Sequence, residues 1–196
     1  MLCGIIKQTV DKIFNIEIDI PTVEIDYFLD NVRKKMFKKG EYFHPADKVC
    51  NKIGLVKSGL LKSYVINDGA NEKIIEFYPE NSFVSAFTSF ITQEKTDWNI
   101  QTIEDSEILI ISKEFLENLY KRHNCWIILG LKIFEMQTLK KCNREKSLLV
   151  NNATERYLIF RKQYESVEGR LTLNQIALYL GIQPESLSRI RKDLII

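Results

Sequence analysis

The period of the apolar positions changes along the chain, and this change separates a barrel-like region from helical ones. From Met36 to Ser112, apolar residues form short β-like runs with turn signals between them. The pair Asp68-Gly69 stands between the runs Leu60–Ile66 and Lys73–Tyr78 and is the strongest hairpin signal in the chain. Many short strands at this spacing favour a small barrel or jelly roll over a parallel sheet.

Helical periods flank and interrupt these strands. Pro21 separates two predicted N-terminal helices, and the second is expected to end in the basic run Arg33–Lys35. The aromatic stretch Phe83–Thr92 predicts a short helix inside the barrel, and one long helix is predicted from Lys113 to about Leu149. The chain is thus predicted to comprise a barrel region, a long helix and a C-terminal unit, with bounds 1–112, 113–150 and 151–196.

The middle of the long helix is apolar almost all round, so more than one neighbour must cover it. The barrel can cover one face, and a second copy of the helix would cover the other and give a two-fold dimer. Burial within a single chain is the alternative. The residues predicted for the dimer interface are Trp126, Leu129, Ile133 and Met136.

After a break at Asn151-Asn152 and a further helix over Ala153–Tyr164, two short helical patterns meet at Gly181. Thr172 and Gln175 form a capping-box pattern before the first helix, and Pro184 suits the first turn of the second. The side chains expected to pack inward are Leu173, Ile176, Ala177, Leu180, Leu187, Ile190 and Leu194. The opposite face of the second helix carries Glu185, Ser188, Arg189 and Lys192. Such a pair predicts a helix-turn-helix, whose arginine and glutamate could bond to guanine and cytosine edges.

The charge distribution favours a polyanionic partner at this end of the chain. Residues 140–196 contain 11 Lys+Arg and 6 Asp+Glu, a net charge of +5. The preceding 139 residues contain 17 and 20, a net charge of −3. Basic side chains that neutralise phosphates release counterions, so double-stranded DNA is the expected partner.

Composition argues against several other classes of protein. Hydrophobic residues make up 45% of the chain, but no run of about 18 apolar residues occurs, so we expect a soluble, cytoplasmic protein without membrane association. The four cysteines lack a C-x-x-C spacing, and His44 and His123 lie far apart, so no metal or cofactor is expected. A cupin-like enzyme would need several converging ligands, and no nucleophile–base arrangement is evident.

The order of barrel, long helix and helix-turn-helix is an α+β architecture that resembles the Crp/Fnr family of bacterial transcription regulators. That family joins a cyclic-nucleotide-binding-like β-roll (a jelly-roll barrel) to a winged helix-turn-helix. The likeness runs from about Phe28 to Leu194 and is carried by the segments KKGEYF, VKSGLLKSYVI, EDSEILIIS and IQPESLSRIRKDL. It implies a non-enzymatic homodimer that binds palindromic DNA, with RNA polymerase as a further partner.

The resemblance also implies which residues meet DNA. Glu185 and Arg189 match the positions that read base edges, and Pro184 replaces an arginine found in many members, so a different base sequence is expected. The predicted DNA-contacting residues are Thr172, Gln183, Glu185, Ser186, Ser188, Arg189 and Lys192.

The ligand positions match the family less well. Members that bind cyclic nucleotides carry a Gly-Glu pair and then Arg-Ser-Ala, where this chain has Val84–Phe87 and Lys95–Trp98. One flexible ammonium does not replace an arginine fork, so cyclic AMP is not expected to bind in the family's manner. An unknown effector is left open, with a candidate pocket of Phe83, Ser85, Ala86, Phe87, Lys95 and Thr96. The alternative function is a barrel whose primary activity is ligand binding, which a polar-lined cavity would favour and a barrel filled with aromatic side chains would not.

Overall fold

The barrel and the helices around it are present in a computed structural model, which describes residues 19–67, 69 and 71–194. The strands are β1 (Arg33–Phe37), β2 (Tyr42–His44), β3 (Lys48–Val49), β4 (Lys52–Ser58), β5 (Leu61–Ile66), β6 (Glu72–Tyr78), β7 (Phe83–Val84), β8 (Lys95–Thr96), β9 (Asn99–Thr102) and β10 (Ser106–Ser112). The helices are α1 (Thr22–Asn31), α2 (Phe87–Thr92), α3 (Lys113–Arg122), α4 (Asn124–Val150), α5 (Ala153–Gln163), α6 (Leu173–Leu180) and α7 (Pro184–Asp193), and a 3-10 turn covers Glu168–Arg170. This mixture of an antiparallel roll and helices confirms the α+β prediction.

The strands form two antiparallel four-stranded sheets that face each other. The first sheet has the order β1-β10-β4-β7, the second has the order β2-β9-β5-β6, and β3 and β8 form a separate pair. The predicted hairpin is confirmed, because β5 and β6 pair from Leu61 opposite Tyr78 to Ile66 opposite Glu72. Asp68 of its turn and the first predicted N-terminal helix lie outside the described residues.

Apolar side chains fill the space between the two sheets, here called the roll interior. Its buried members include Phe37, Phe43, Cys50, Val56, Leu61, Tyr78, Val84, Ala86, Ile100 and Ile108. Gly54 shows how tight the packing is, since a Cβ there would lie 2.7 Å from Ile108 and 2.9 Å from Phe43. The roll interior therefore has no room for an added methyl group at position 54 of β4.

Helices cover the outer faces of the two sheets. Alternate residues of β4 and β10, such as Leu55 and Leu109, point away from the interior and pack against α1, α3 and α4. On the second sheet, Tyr64 and Phe77 point outward and pack against α5, α6 and α7. The helix-turn-helix and the roll thus share one hydrophobic core.

A buried carboxylate joins α1 to the other helices of the first outer face. Glu24 accepts two hydrogen bonds from Arg122 Nε, at 2.9 and 3.0 Å, and one from Trp126 Nε1 at 3.0 Å. The indole hydrogen bond from Trp126 has the largest effect on the pKa of Glu24 and, with Arg122, holds it below its usual value despite burial. Trp126 is thereby drawn towards α1.

Three predictions about the helices are wrong. Arg33–Lys35 does not end a helix, because Val32 is already extended and Arg33–Phe37 pairs with β10. The long helix is divided at His123, which is extended and accepts a hydrogen bond from Cys125 N at 3.1 Å as the N-cap of α4. Helix α2 does not lie inside the roll, because its Phe87 and Phe90 pack in the outer core with α1 and α4.

The long helices raise the question of a membrane span. Within the described part of the chain, no helix combines the length and the apolar character that crossing a bilayer requires.

Candidate nucleic-acid interface

Local signals shape the helix-turn-helix as predicted. Thr172 accepts a hydrogen bond from Gln175 N at 3.2 Å, and the Gln175 side chain accepts one from Thr172 N at 2.8 Å, which completes the capping box. Gly181 ends α6 with φ of +69°, a conformation that glycine adopts without strain. Pro184 occupies the first turn of α7, where no intrahelical N–H bond is lost.

The inner faces of the two helices agree with the apolar pattern, with two exceptions. Ile176, Ala177, Leu180 and Leu187 are buried, as predicted. Tyr179 is also buried, against the roll, although it lies outside the predicted apolar face. Leu194 is 37% exposed and lies directly after the last residue of α7, Asp193.

The opposite face of α7 presents most of the predicted DNA-contacting side chains to solvent. Gln183, Glu185, Ser186, Arg189 and Lys192 are exposed, and Ser188 is partly buried. Thr172 is exposed too, but its hydroxyl is used by the cap of α6.

Arg191 behaves differently from Arg189, although the two are only two positions apart. The Arg191 Nε donates to Tyr157 Oη at 2.9 Å and Nη2 donates to Glu168 at 3.1 Å. Within the described residues, no carboxylate forms a salt bridge with Arg189, whose guanidinium is exposed. Because these positions lie on different sides of the helix, Arg191 attaches α7 to Tyr157 and Glu168, whereas Arg189 and Lys192 face solvent.

An aromatic cluster attaches the helix-turn-helix unit to the roll. The Phe77 ring on β6 lies 5.6 Å from Tyr164 and 5.5 Å from Tyr179, and Phe160 lies 5.4 Å from Tyr179, between ring centroids. Arg144 of α4 donates to Tyr179 O at 2.8 Å, with its guanidinium 3.8 Å above the Tyr179 ring. These contacts fix α6, and with it α7, relative to α4.

A charged clamp, formed by Arg170, Glu80 and Glu104, adds a second attachment. Arg170 donates from both terminal nitrogens to Glu80, each at 2.9 Å, and from Nε to Glu104 at 3.3 Å. Burial alone would raise the pKa of Glu80, but hydrogen bonds from Arg170 and from Gly59 N lower it overall. Sequence reasoning gave Arg170 no role, because its partners lie 66 and 90 residues away.

The six residues of the predicted ligand pocket do not share one cavity. Phe83 and Phe87 belong to the outer core, whereas Ala86 faces the roll interior. Ser85 is buried and donates to Lys52 O at 2.9 Å. Lys95 and Thr96 form β8, which pairs with Lys48–Val49.

An apolar cavity of about 550 Å³ lies on the outer face of the first sheet, and of the six predicted pocket residues Phe83 and Phe87 line it. It is bounded by β4, by α2 and by α4, and Leu55, Phe87, Trp126 and Phe134 are among its lining residues. The roll interior itself is filled, in part by the aromatic rings of Phe37, Phe43 and Tyr78. This packing counts against a ligand bound within the barrel.

The structure also corrects which side of α4 is available to a partner. Trp126 and Leu129, predicted for a dimer interface, are only 3% and 8% exposed, because they pack in the outer core of their own chain. Ile133 and Met136 are partly buried. The exposed apolar side chains of the helix are Ile127, Ile128, Leu131, Phe134, Leu139, Leu148, Leu149 and Val150.

Comparison with known proteins agrees with this architecture. The family model for the cyclic nucleotide-binding domain matches residues 34–123. The anaerobic regulatory protein of Haemophilus influenzae is 28% identical over 177 residues, which cover 83% of this chain and 67% of that protein. The regulatory protein HlyX of Actinobacillus pleuropneumoniae is 27% identical, with coverages of 83% and 72%.

Solved structures share the fold. The global regulator CLP of Xanthomonas campestris matches with a TM-score of 0.69 at 17% identity, covering 89% of this chain and 91% of that one. A regulator of the crp/fnr family from Eubacterium rectale matches with a TM-score of 0.67 at 21% identity, with coverages of 89% and 83%. The chain has the regulator fold, with a cyclic nucleotide-binding domain followed by a helix-turn-helix. These similarities support the resemblance to the Crp/Fnr family that its sequence segments indicated.

Proposed function

We propose that the protein is a sequence-specific DNA-binding transcription regulator that acts as a homodimer on a two-fold-symmetric site. This proposal rests on the exposure of the outward face of α7 in a well-packed helix-turn-helix. The exposed side chains of that face are Glu185, Ser186, Arg189 and Lys192. The relatives from Haemophilus and Actinobacillus are named as regulatory proteins, which supports the same function. In this role the protein works in the cytoplasm, without catalytic activity, and RNA polymerase is its further partner.

Arg189 is the residue on which sequence discrimination depends in this proposal. A guanidinium can donate two parallel hydrogen bonds to the major-groove edge of guanine, which a point charge cannot do. Glu185 lies one helical turn earlier and can accept from cytosine. Lys192 would then contact phosphates and set the register of the helix in the groove.

The test is a selection of DNA sites with purified protein, followed by affinity measurements on the selected site and on unrelated DNA. Arg189→Ala should weaken specific binding by about tenfold or more, with little change on unrelated DNA. Arg189→Lys keeps the charge and loses the fork, so it should also lose discrimination. Lys121→Ala, an exposed cation of α3, is the control and should change neither. If Arg189→Ala leaves both the DNA footprint and the ratio of specific to non-specific affinity unchanged, α7 does not bind in the major groove.

The exposed side of α4 supports the homodimer. Ile127, Leu131 and Phe134 follow one another at spacings of four and three residues, the pattern by which two helices pack along a seam. Ile127 and Leu131 lie on the side away from the buried Trp126 and Leu129, whereas Phe134 is exposed and also lines the apolar cavity. Two copies joined there would present their α7 helices to half-sites about 34 Å apart.

Sedimentation analysis tests the assembly directly. Phe134→Glu places a charge at a side chain that is 57% exposed in the single chain and should give monomers. Val23→Glu makes the same kind of change at an exposed apolar position of α1 and should leave the assembly intact. Dimers that survive Phe134→Glu and Leu131→Glu would exclude this face of α4 as the interface.

Sensing of an apolar small molecule is a second candidate function, and the cavity of about 550 Å³ favours it. Such a volume falls within the range of small-molecule sites, and the lining is mostly apolar. An apolar fluorescent probe should bind the wild-type protein and not Leu55→Trp, which fills the cavity. If the intact assembly does not bind the probe, the cavity is closed by the partner and this second function is wrong.

A further inference from the structure

The lining of the apolar cavity changes from apolar to polar along α4. The α4 residues that line it recur at spacings of three and four from Trp126 to Glu145, so they form one continuous stripe of the helix. The stripe is apolar from Trp126 to Phe134, and Gln137 and Lys141 follow it. The cavity thus has an apolar end and a polar end.

The distance between the two ends favours a chain-shaped ligand. Trp126 and Gln137 both line the cavity, whose volume is about 550 Å³. The two residues lie about 16 Å apart along the axis of α4, which an extended chain of about twelve carbon atoms spans. A small molecule that contacts both residues is therefore long and narrow.

Apolar side chains surround the end of the cavity at Trp126. The Phe28 and Trp126 rings, which both line the cavity, have centroids 5.4 Å apart. Leu55 and Leu119 add aliphatic surface from β4 and α3. The polar atom of Trp126 is already paired, since Nε1 donates to Glu24 at 3.0 Å. This end therefore suits a hydrocarbon chain.

Gln137 brings an unpaired amide to the polar end. The residue is only 8% exposed, and its amide forms no hydrogen bond with any residue that the structure describes. A glutamine amide has two donor hydrogens and one acceptor oxygen, and burying them without partners costs free energy. An apolar side chain of similar length would fill the same space without that cost. Packing therefore does not explain the amide, whereas a ligand that pairs with it does.

The rim beyond Gln137 carries charges of both signs. Lys141 and Glu145 lie one helical turn apart, are both exposed and both line the cavity. Opposite charges at the same rim favour neither an anionic nor a cationic head group. Burying an ion beside Gln137 would also cost more than burying a hydroxyl. An uncharged head group with a donor and an acceptor therefore fits this end best.

We propose that the cavity binds a single-chain aliphatic molecule whose uncharged polar head group, such as a hydroxyl, pairs with the Gln137 amide. The hydrocarbon chain extends from there towards Trp126. This proposal rests on the second candidate function, the sensing of an apolar molecule, and specifies the class of ligand. Neither Ser85 nor Lys95 lines the cavity, so these polar residues of the predicted ligand pocket take no part in the site.

Quenching of tryptophan fluorescence tests the place and the direction of the chain. The protein has two tryptophans, so full-length Trp98→Phe leaves Trp126 as the single reporter. Titration with 12-bromo-1-dodecanol should quench Trp126 in a saturable way, because the bromine at the chain end reaches the indole. Unbrominated 1-dodecanol should relieve this quenching by competition. An isomer with its bromine next to the hydroxyl should compete equally well but quench little. Stronger quenching by that isomer would reverse the direction of the chain and overturn the proposal.

A substitution of Gln137 tests the head-group contact. Gln137→Met keeps the length of the side chain and removes the amide, so it should weaken 1-dodecanol binding by about three- to tenfold. It should leave the affinity for the apolar fluorescent probe unchanged, because that probe has no head group to pair. Gln163→Met makes the same change at an exposed position of α5 and should affect neither ligand. An unchanged 1-dodecanol affinity in Gln137→Met, or an equal loss in Gln163→Met, would contradict the assignment.

Dodecanoate tests whether the head group is uncharged. At pH 8 it has the same chain and a negative charge, so it should bind at least about tenfold more weakly than 1-dodecanol. Dodecanoate that binds as tightly as 1-dodecanol and loses affinity in Lys141→Gln would make the ligand an anion, and the proposal would be wrong.

The remaining outcome concerns the partner copy. If 1-dodecanol binds Leu131→Glu monomers but not the wild-type assembly, side chains of the partner fill the cavity and no ligand does. If the apolar probe binds the wild type and 1-dodecanol does not, the second candidate function stands and only this choice of ligand fails. The selection of DNA sites is carried out without any of these compounds, so the proposed regulator function is judged separately.

Discussion

The helix-turn-helix and the segment from Phe83 to Thr96 each contain a predicted site, yet the residues of the two sites are arranged very differently. Almost all of the residues predicted to contact DNA lie together on one exposed face of α7 or at its start. The six residues predicted to line a pocket separate into an outer core, the roll interior and a surface strand pair. A site within one helix follows from the helical period, whereas a pocket made from several strands depends on every strand that surrounds it.

The two regions also differ in what holds them. The helix-turn-helix shares a continuous aromatic core with the roll and is fastened by the Arg170 clamp. Among the residues that the structure describes, the strand that carries Lys95 and Thr96 pairs with the two residues of β3 alone. Substitutions in the first region should therefore reduce the free energy of unfolding more than substitutions in the second.

The largest effect is expected where the helix-turn-helix meets the roll. Phe160→Ala should reduce the free energy of unfolding by about 3–5 kcal/mol, because Phe160 is fully buried among Phe77, Tyr164 and Tyr179. Urea denaturation measures the loss. Leu158→Ala, at an exposed position of the same helix, should change it by less than about 0.5 kcal/mol. Equal small losses for both would mean that the two units do not share a core.

A smaller effect is expected inside the roll. Gly54→Ala should cost about 1–3 kcal/mol, because the new methyl group would lie within 3.0 Å of Ile108, Phe43 and Val84. Gly169→Ala meets no atom within 4 Å and serves as the control in the same thermal or urea measurement. A neutral Gly54→Ala would show that the interior has spare volume, and a ligand within the barrel would again be possible.

The clamp should contribute less, and its contribution should depend on pH. The folded-state pKa of Glu80 is lowered, so its stabilisation is present above the unfolded value near 4.5 and is lost as the pH falls through the folded value. Arg170→Ala should reduce stability at neutral pH by about 1 kcal/mol or less, since the groups are partly exposed. It should also flatten the acid side of the stability profile. A profile with unchanged slope in Arg170→Ala and in Glu80→Gln would assign the acid sensitivity to other carboxyls, such as Glu24.

The smallest effect is expected in the predicted ligand segment. The double substitution Lys95→Gln with Thr96→Ala should leave the unfolding free energy within about 0.5 kcal/mol and DNA affinity unchanged, because both residues lie on a short surface strand pair. Calorimetry and a DNA-binding assay measure the two quantities. A marked loss of DNA affinity would show that this segment controls the helix-turn-helix despite its distance in the sequence.

The amino-acid sequence determined those features whose causes lie within a few residues. Thr172 with Gln175, Gly181 and Pro184 specify the start of α6, its end and the start of α7 through capping and backbone preference. The β5–β6 hairpin was also predicted correctly, since its two strands and the turn between them lie close together in the chain.

Only the tertiary structure decided which face of an apolar helix is buried and where a basic run lies. Trp126 turns towards α1 because Glu24, 102 residues away, accepts its indole hydrogen bond. Arg33–Lys35 became a strand because β10 supplies hydrogen bonds from more than 70 residues further along. A periodic pattern can predict that one face of a helix or strand is apolar. Which element covers that face depends on strand pairing and packing between residues far apart in the sequence, so a local pattern does not predict it.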